Sequence, residues 1–416
     1  MAQRIARPVA LRGEARVPEA LLRTRYREAL ALHREGELDA AEAIYRLILS
    51  AMPESFHALH MLGVLRGQRD DWPESERLLA HAVRLDPAVA AAQANLGNAQ
   101  RLLERRDDAL ASYALALQLQ PENARALKGR GVILWQQRQY EDALHCYELL
   151  LRIEPSYGDG WIMKAAVLDR LGRAGEAVAC YREGLASGQL AHPDKIRYLL
   201  AAMGDSDTLP AAAPMDYVRE LYEKYAPGFE AHLVGELNYR GPALLMERLR
   251  PLLPERALDV LDLGCGTGLC ALPLRPRARL LIGLDASERM LEVARRKQVY
   301  DQLIEAELTS WLPTQAAAFD LIVAADVFIY FGDLRPVLLG ARTALRPEAL
   351  FAFSTEASEG AEIRLLESLR YAHSADYLGR LAAETGFRLE SVSEEIIREE
   401  DGRGVPGHVT VLRRLG

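Results

Sequence analysis

Residues 257–268 read ALDVLDLGCGTG, an apolar run that breaks into Asp262-Leu263-Gly264-Cys265-Gly266-Thr267-Gly268. Three glycines let a chain turn sharply and let a ligand lie against bare backbone. A dinucleotide loop needs glycine again at the sixth place of G-x-G-x-x-G, and that place is Leu269. Asp262 stands two residues before the first glycine. A carboxylate there repels a pyrophosphate and suits a cationic, amino-acid-like group.

Outward from this loop, LLIGLD (280–285), FDLIVAAD (319–326) and ALFAFST (349–355) are further short apolar runs, spaced by helical stretches. Such alternation predicts a parallel sheet with helices on both faces and a ligand crevice beyond the strand ends. Asp285 ends the second strand, where a carboxylate accepts both hydroxyls of a ribose. After the third strand, LIEAELTSWL (303–312) offers Glu307 and the backbone of Leu308 to an adenine edge, and Asp326 closes the fourth.

LDLGCGTG, LIGLDAS, the acid after strand three and AADVFIYFGDL (324–334) together resemble the class I S-adenosylmethionine (SAM) dependent methyltransferases. The resemblance spans about residues 215–416 and implies a mostly parallel seven-stranded Rossmann-like sheet, closed by a hairpin of FRLESVSEEIIREE (387–400) and GVPGHVTVLRR (404–414). It further implies that Gly264, Gly266 and Gly268 line the methionine portion of the cofactor, with Asp262 close by and Cys265 in the same loop. Asp285, followed by Ala286, would hold the ribose; Glu307 with Leu308 would hold the adenine. The family usually has Asp where this chain has Glu307.

The first half keeps a different ruler. Pro53, Pro87, Pro121 and Pro155 stand 34 residues apart. Small residues share the period at Ala29, Gly63, Gly97, Gly131 and Ala165, and again at Ala41, Ser75, Ala109, Ala143 and Ala177. A large residue follows each of the second series: Tyr45, Leu79, Tyr113, Tyr147 and Tyr181. Paired helices approach closely only where small residues meet, the large residue fills the space beside them, and the proline starts the next helix. This pattern resembles the tetratricopeptide (TPR) repeat. Five units are expected over 22–191, a capping helix near 193–203, and a groove that recruits a protein or peptide. Residues 1–21 form an arginine-rich arm, 204–214 (GDSDTLPAAAP) a linker, and 215–416 the catalytic domain.

Composition narrows the function. Residues 1–200 carry 27 Lys and Arg against 26 Asp and Glu, and residues 201–416 carry 24 against 33. The acidic second half disfavours a nucleic-acid partner held by broad charge attraction. No apolar run is long enough to span a bilayer. Four cysteines (Cys146, Cys180, Cys265 and Cys270) lack metal-ligand spacing, which fits a reducing cytoplasm and no metal.

Methyl transfer is an in-line displacement and chiefly a positioning task. A carboxylate acceptor needs no base, whereas an amine does. Candidates near the acceptor are Asp326, Tyr330, Glu356, Tyr371 and His373, with His373 the group suited to base work at neutral pH. Tyr225 and Tyr239, in the aromatic stretch before the sheet, are expected to close over the cofactor, since aromatic faces attract a sulfonium. The Asn/Asp-Pro-Pro run of base-amine methylases and the paired-glutamate loop of arginine methyltransferases are both missing. The expectation is a SAM-dependent enzyme methylating a polypeptide; the alternatives are a small-molecule methyltransferase whose repeats mediate assembly, and a SAM-binding adaptor without catalysis.

Overall fold

The computed structural model describes residues 19–206, 208–400 and 402–416, so residues 1–18 of the expected 1–21 arm lie outside the described residues, and 19–21 open the first helix instead. Contacts divide the chain into two units, Met1–Ala191 and His192–Gly416.

The first unit is five helix pairs: α1 (Glu19–Glu35) and α2 (Leu38–Ala51), α3 (Phe56–Gln68) and α4 (Trp72–Leu85), α5 (Ala90–Leu102) and α6 (Arg106–Leu119), α7 (Ala124–Gln136) and α8 (Tyr140–Ile153), α9 (Gly158–Arg170) and α10 (Ala174–Ala186). Within the middle three pairs the small residue of one helix receives the large residue of the other. A Cβ on Gly63 would stand 2.7 Å from Leu79, on Gly97 2.8 Å from Tyr113, and on Gly131 2.7 Å from Tyr147. Tyr113 is fully buried, and loss of its ring would cost about 3–5 kcal/mol.

The prolines act earlier than expected. Each lies in the turn, three residues before the next helix, at the second position of a bend such as that closed by Ser55 N–H on Met52 O (3.1 Å) or Tyr157 N–H on Glu154 O (3.1 Å). A fixed φ near −65° suits that position.

The second unit opens with α11 (Pro193–Ala202), the helix expected to cap the repeats. It belongs here because Tyr198 is buried against Tyr217 and Tyr371 and donates its hydroxyl to Leu369 O at 2.7 Å. The expected linker is likewise tied down. Ala211 O accepts from Gly332 and Asp333 N–H, Ala213 N–H donates to Tyr330 O, and Tyr371 donates to Pro210 O.

Then come α12 (Met215–Tyr225), α13 (Gly241–Leu249), β1 (Leu258–Leu263), α14 (Ala271–Leu274), β2 (Ala278–Asp285), α15 (Glu288–Arg296), β3 (Gln302–Glu305), α16 (Leu308–Trp311), β4 (Phe319–Ala324), α17 (Arg335–Ala344) and β5 (Leu345–Ala357). The chain closes with β6 (Ile363–Leu365), β7 (Tyr371–His373), α18 (Ala375–Glu384), β8 (Phe387–Glu400) and β9 (Arg403–Arg414). The seven expected strands are β1 to β5 with the β8–β9 hairpin; two three-residue strands, β6 and β7, add to them beside β5.

Strands β3, β2, β1, β4 and β5 run parallel in that order, and β9 joins β5 antiparallel. Residues of the central strands alternate between two cores. Leu261, Leu263, Ile322 and Phe351 face α17 and α18, while Val260, Leu321, Val323 and Leu350 face α13. Burial on both faces explains why these runs are apolar throughout. The chain order reverses between β1 and β4, so the crevice opens beyond their carboxyl ends.

Candidate functional site

A cavity of about 350 Å³ occupies that crevice. Its floor is the glycine loop. Gly264, Gly266 and Gly268 have φ of +66°, +53° and +86°, a region that side chains resist. Cys265 N–H hooks the loop to Leu284 O (2.9 Å), and Gly266 N–H donates to Asp285 Oδ2 (2.8 Å). A Cβ on Gly264 would strike Val327 at 2.5 Å, but one on Gly266 would meet nothing within 4 Å. The backbone at Gly266 therefore faces open cavity. Beside it, the Oγ1 of Thr267 is buried without a partner, a polar atom that a ligand could satisfy.

Two acids flank the loop. Asp262, 1% exposed, accepts the phenol of Tyr300. Burial, with Asp285 adding to it, raises its pKa to about 7 despite that bond. Asp285 is also raised by burial, and is opposed by the N–H groups of Ser287 (2.9 Å) and Gly266. Both acids gain from a cation brought beside them.

Glu307 reaches the cavity from the N-terminus of α16, where one carboxylate oxygen accepts the N–H (3.3 Å) and hydroxyl of Thr309. Leu308 lines the wall next to it. Asp326 follows β4 in a left-handed conformation (φ +60°), its N–H on Ser354 Oγ (2.9 Å) and its carboxylate on Arg398 (3.1 Å). Arg398 comes from β8, is 1% exposed and also binds Glu356 and Glu400. Arg370, on the cavity wall, pairs with Glu400 and Glu356. Tyr330 is hydrogen bonded by Tyr222 (3.1 Å), and burial pushes its pKa up to about 12. Tyr225 is half exposed at the rim; Tyr239 packs beside Gly241 with its hydroxyl buried and unpartnered.

Asp262, Gly264, Cys265, Gly266, Asp285, Ala286, Glu307, Leu308, Asp326, Tyr330, Tyr225 and Tyr239 thus line one cavity. Four expected residues do not: Gly268, His373, Glu356 and Tyr371. Gly268 turns toward Tyr300, which a Cβ there would meet at 2.9 Å. His373 is fully buried outside the cavity, donates Nε2–H to Gly332 O (3.0 Å) and stacks on Tyr377. Burial lowers its pKa to about 4, so it is neutral and holds the loop after β4. Glu356 and Tyr371 are also structural, bound to Arg398 and to Pro210 O. The Cys265 thiol is pushed well above its ordinary pKa by burial and both acids, which makes it a poor nucleophile. Among the described lining residues the histidine is His232, exposed and 3.0 Å from Glu236. Tyr300, Arg370 and Arg398 had no local sequence pattern to mark them, while Thr267 lay inside the glycine loop without being singled out.

Residues 261–353 match the family model described as a methyltransferase domain, and 60–124, 103–158 and 128–192 match tetratricopeptide repeat models. Within the second unit, residues 261–353 thus carry the match to a methyltransferase domain. The chain joins it to N-terminal TPR repeats. The biotin biosynthesis bifunctional protein BioHC of Saccharophagus degradans is 31% identical over 180 residues, which is 38% of this chain and 32% of the relative. The malonyl-[acyl-carrier protein] O-methyltransferase of Enterobacter lignolyticus is 31% identical over 142 residues, 34% of this chain and 54% of the relative. The chain thus spans between a third and about half the length of these curated relatives. Among solved structures, a SAM-dependent methyltransferase from Mesorhizobium loti shares 25% identity at a TM-score of 0.33, over 40% of this chain and 96% of its own.

Proposed function

We propose that this chain is a SAM-dependent methyltransferase acting on a protein or peptide acceptor that its repeats recruit. The observation that carries the enzymatic part is the open, left-handed backbone at Gly266 between buried Asp262 and partly buried Asp285, with the orphaned Thr267 hydroxyl beside it. That set fits an adenosyl sulfonium carrying an amino acid end. Asp285 would hold the ribose, Glu307 and the Leu308 backbone would hold the adenine, and the glycine loop with Asp262 would back the methionine portion. Bound there, SAM supplies an electrophilic methyl group.

The chain's own residues then position the acceptor and exclude water. Tyr217, Tyr222, Tyr225 and Phe229 wall the cavity, and aromatic faces stabilise a neighbouring cation. Asp326 and Tyr330 stand on the strand-four side, the first oriented by Arg398 and the second protonated at neutral pH. Neither is a free strong base, and His373 is outside; for an acceptor that must lose a proton, the lining offers Asp262, raised to about 7, and His232, paired with Glu236.

A second reading, a small-molecule methyltransferase, is favoured by relatives named for malonyl-[acyl-carrier protein] and for ubiquinone biosynthesis. Among the described residues no helix is long and apolar enough to cross a membrane. All four cysteines are free thiols, and a cytoplasmic setting belongs to the same proposal. Incubation of the full chain with methyl-labelled SAM and cell lysate tests the reading. Label is expected in the polypeptide fraction; label confined to small metabolites overturns recruitment.

A further inference from the structure

Tyr300 stands outside the cavity, yet two separate segments make room for its ring. After α15 the chain turns at Gln298, which is left-handed (φ +54°), and Asp301 then pins it to β2. Asp301 donates its N–H to Leu281 O (2.9 Å), and its carboxylate accepts Leu281 N–H (2.7 Å) and pairs with Arg275 (2.7 Å). Tyr300, one residue earlier, is thereby held beside β2 and the glycine loop. A Cβ on Gly268 would stand 2.9 Å from one edge of its ring, and a Cβ on Gly283, in β2, would stand 2.9 Å from the other. The third glycine of the loop therefore serves the tyrosine, by leaving out a side chain.

The phenol of that ring donates to Asp262 Oδ2. Asp262 is buried and lines the cavity beside the loop. The other titratable groups that face it are Asp285 from β2, Cys265 in the loop, Cys270 before α14 and Tyr239 before α13. Burial lifts both thiols and the Tyr239 phenol well above their ordinary values, so these three are neutral at neutral pH. Burial and the Asp285 charge push Asp262 toward its protonated form, and the Tyr300 hydrogen bond opposes them.

We propose that Tyr300 is a positioning residue for the cofactor: seated on Gly268 and Gly283, it fixes one carboxylate oxygen of Asp262 and leaves the other for the amino group of SAM. The inference rests on the SAM site proposed above and adds to it a residue outside the cavity wall. Tyrosine suits the task because burial holds its O–H far above the range in which it would ionise, so it remains a donor. A donor favours the carboxylate form of Asp262. An ammonium arriving on the free oxygen completes the ionisation, and the displaced proton passes to solvent. Held in this way, Asp262 binds the amino-acid end of SAM down to lower pH than it would without the phenol.

Calorimetric titration of the full chain across neutral pH tests it, with S-adenosylhomocysteine and with methylthioadenosine, which lacks the amino-acid end. Tyr300→Phe keeps the ring in its seat and removes the O–H. Its affinity for S-adenosylhomocysteine should fall about tenfold at about pH 6 and return to within about twofold of the parent at about pH 8.5. Methylthioadenosine binding should stay within about twofold of the parent throughout, because it makes no use of Asp262. Asp262→Asn, which keeps an acceptor for the phenol, should flatten the parent's dependence on pH, and adding Tyr300→Phe to it should change affinity less than about twofold. A deficit equal at all pH values, or shared by methylthioadenosine, makes Tyr300 a packing residue and overturns the inference, as does unchanged affinity at the acid end. A parent chain that binds neither nucleoside overturns the SAM site itself.

Discussion

Gly266→Ala separates ligand space from protein packing. The added Cβ meets no protein atom within 4 Å, so its cost to the fold is the left-handed backbone (φ +53°), about 1–2 kcal/mol for a residue with a Cβ. For a domain of this size that is a fall in Tm of about 2–8 °C. The same Cβ stands in the volume assigned to the methionine end of SAM. Forcing a methyl into a filled site costs about 1–3 kcal/mol, or about 5–150-fold in Kd. Gly264→Ala is the control. There the Cβ would lie 2.5 Å from Val327 at φ +66°, so strain and overpacking add and the loss falls first on stability, about 2–5 kcal/mol. Thermal melts and SAM titration by calorimetry read the two effects apart. A Gly266→Ala chain that melts as expected yet binds SAM within twofold of the parent would refute the reasoning, because the open volume would then belong to nothing.

Other perturbations follow from the charges around the cavity. Arg398→Met leaves buried Glu356 with Arg370 as its remaining ion-pair partner and partly buried Asp326 without its arginine, and should cost about 3–5 kcal/mol in urea unfolding. Burial already raises the pKa of Glu356, so the deficit should shrink toward acid pH as Glu356 takes a proton; a loss below about 1 kcal/mol at neutral pH contradicts the network. Asp262, raised from 3.8 to about 7, holds a proton in the folded chain that the unfolded chain has lost. Its stabilisation is complete below pH 3.8 and is lost as pH rises through about 7, worth on the order of 2–4 kcal/mol. Urea midpoints of the SAM-free chain should therefore fall across that window, and Asp262→Asn should flatten the slope; an unchanged slope removes Asp262 as its source. His373→Gln keeps a donor for Gly332 O and should leave methyl transfer within about threefold, with no inflection lost from its pH profile. Loss of such an inflection would restore His373 as a base.

What could be read from the sequence was what is fixed by local spacing. Gly97 and Tyr113 meet within one helix pair, so the 34-residue ruler carries the repeat architecture. The glycine loop and Asp285 were legible because strand, turn and acid lie within a few residues of one another. Features made by distant segments were not. Arg398 sits in IIREE, which reads as the exposed edge of a hairpin, yet it is enclosed by acids that arrive from β4 and β5. Tyr300 lies 38 residues from the Asp262 it bonds. His373 looked suited to base work on its ordinary pKa, and only burial beneath the loop after β4 removes that role. The helix expected to cap the repeats joined the second unit because Tyr198 finds its tyrosine partners there.

Calorimetric titration of the full chain with SAM bears most directly on the whole account. Saturable heat at one site per chain, competed by S-adenosylhomocysteine and lost in Asp285→Ala with the fold intact, is the predicted result. A chain that stays folded and gives no binding heat with SAM, or whose binding is indifferent to Asp285→Ala, contradicts it.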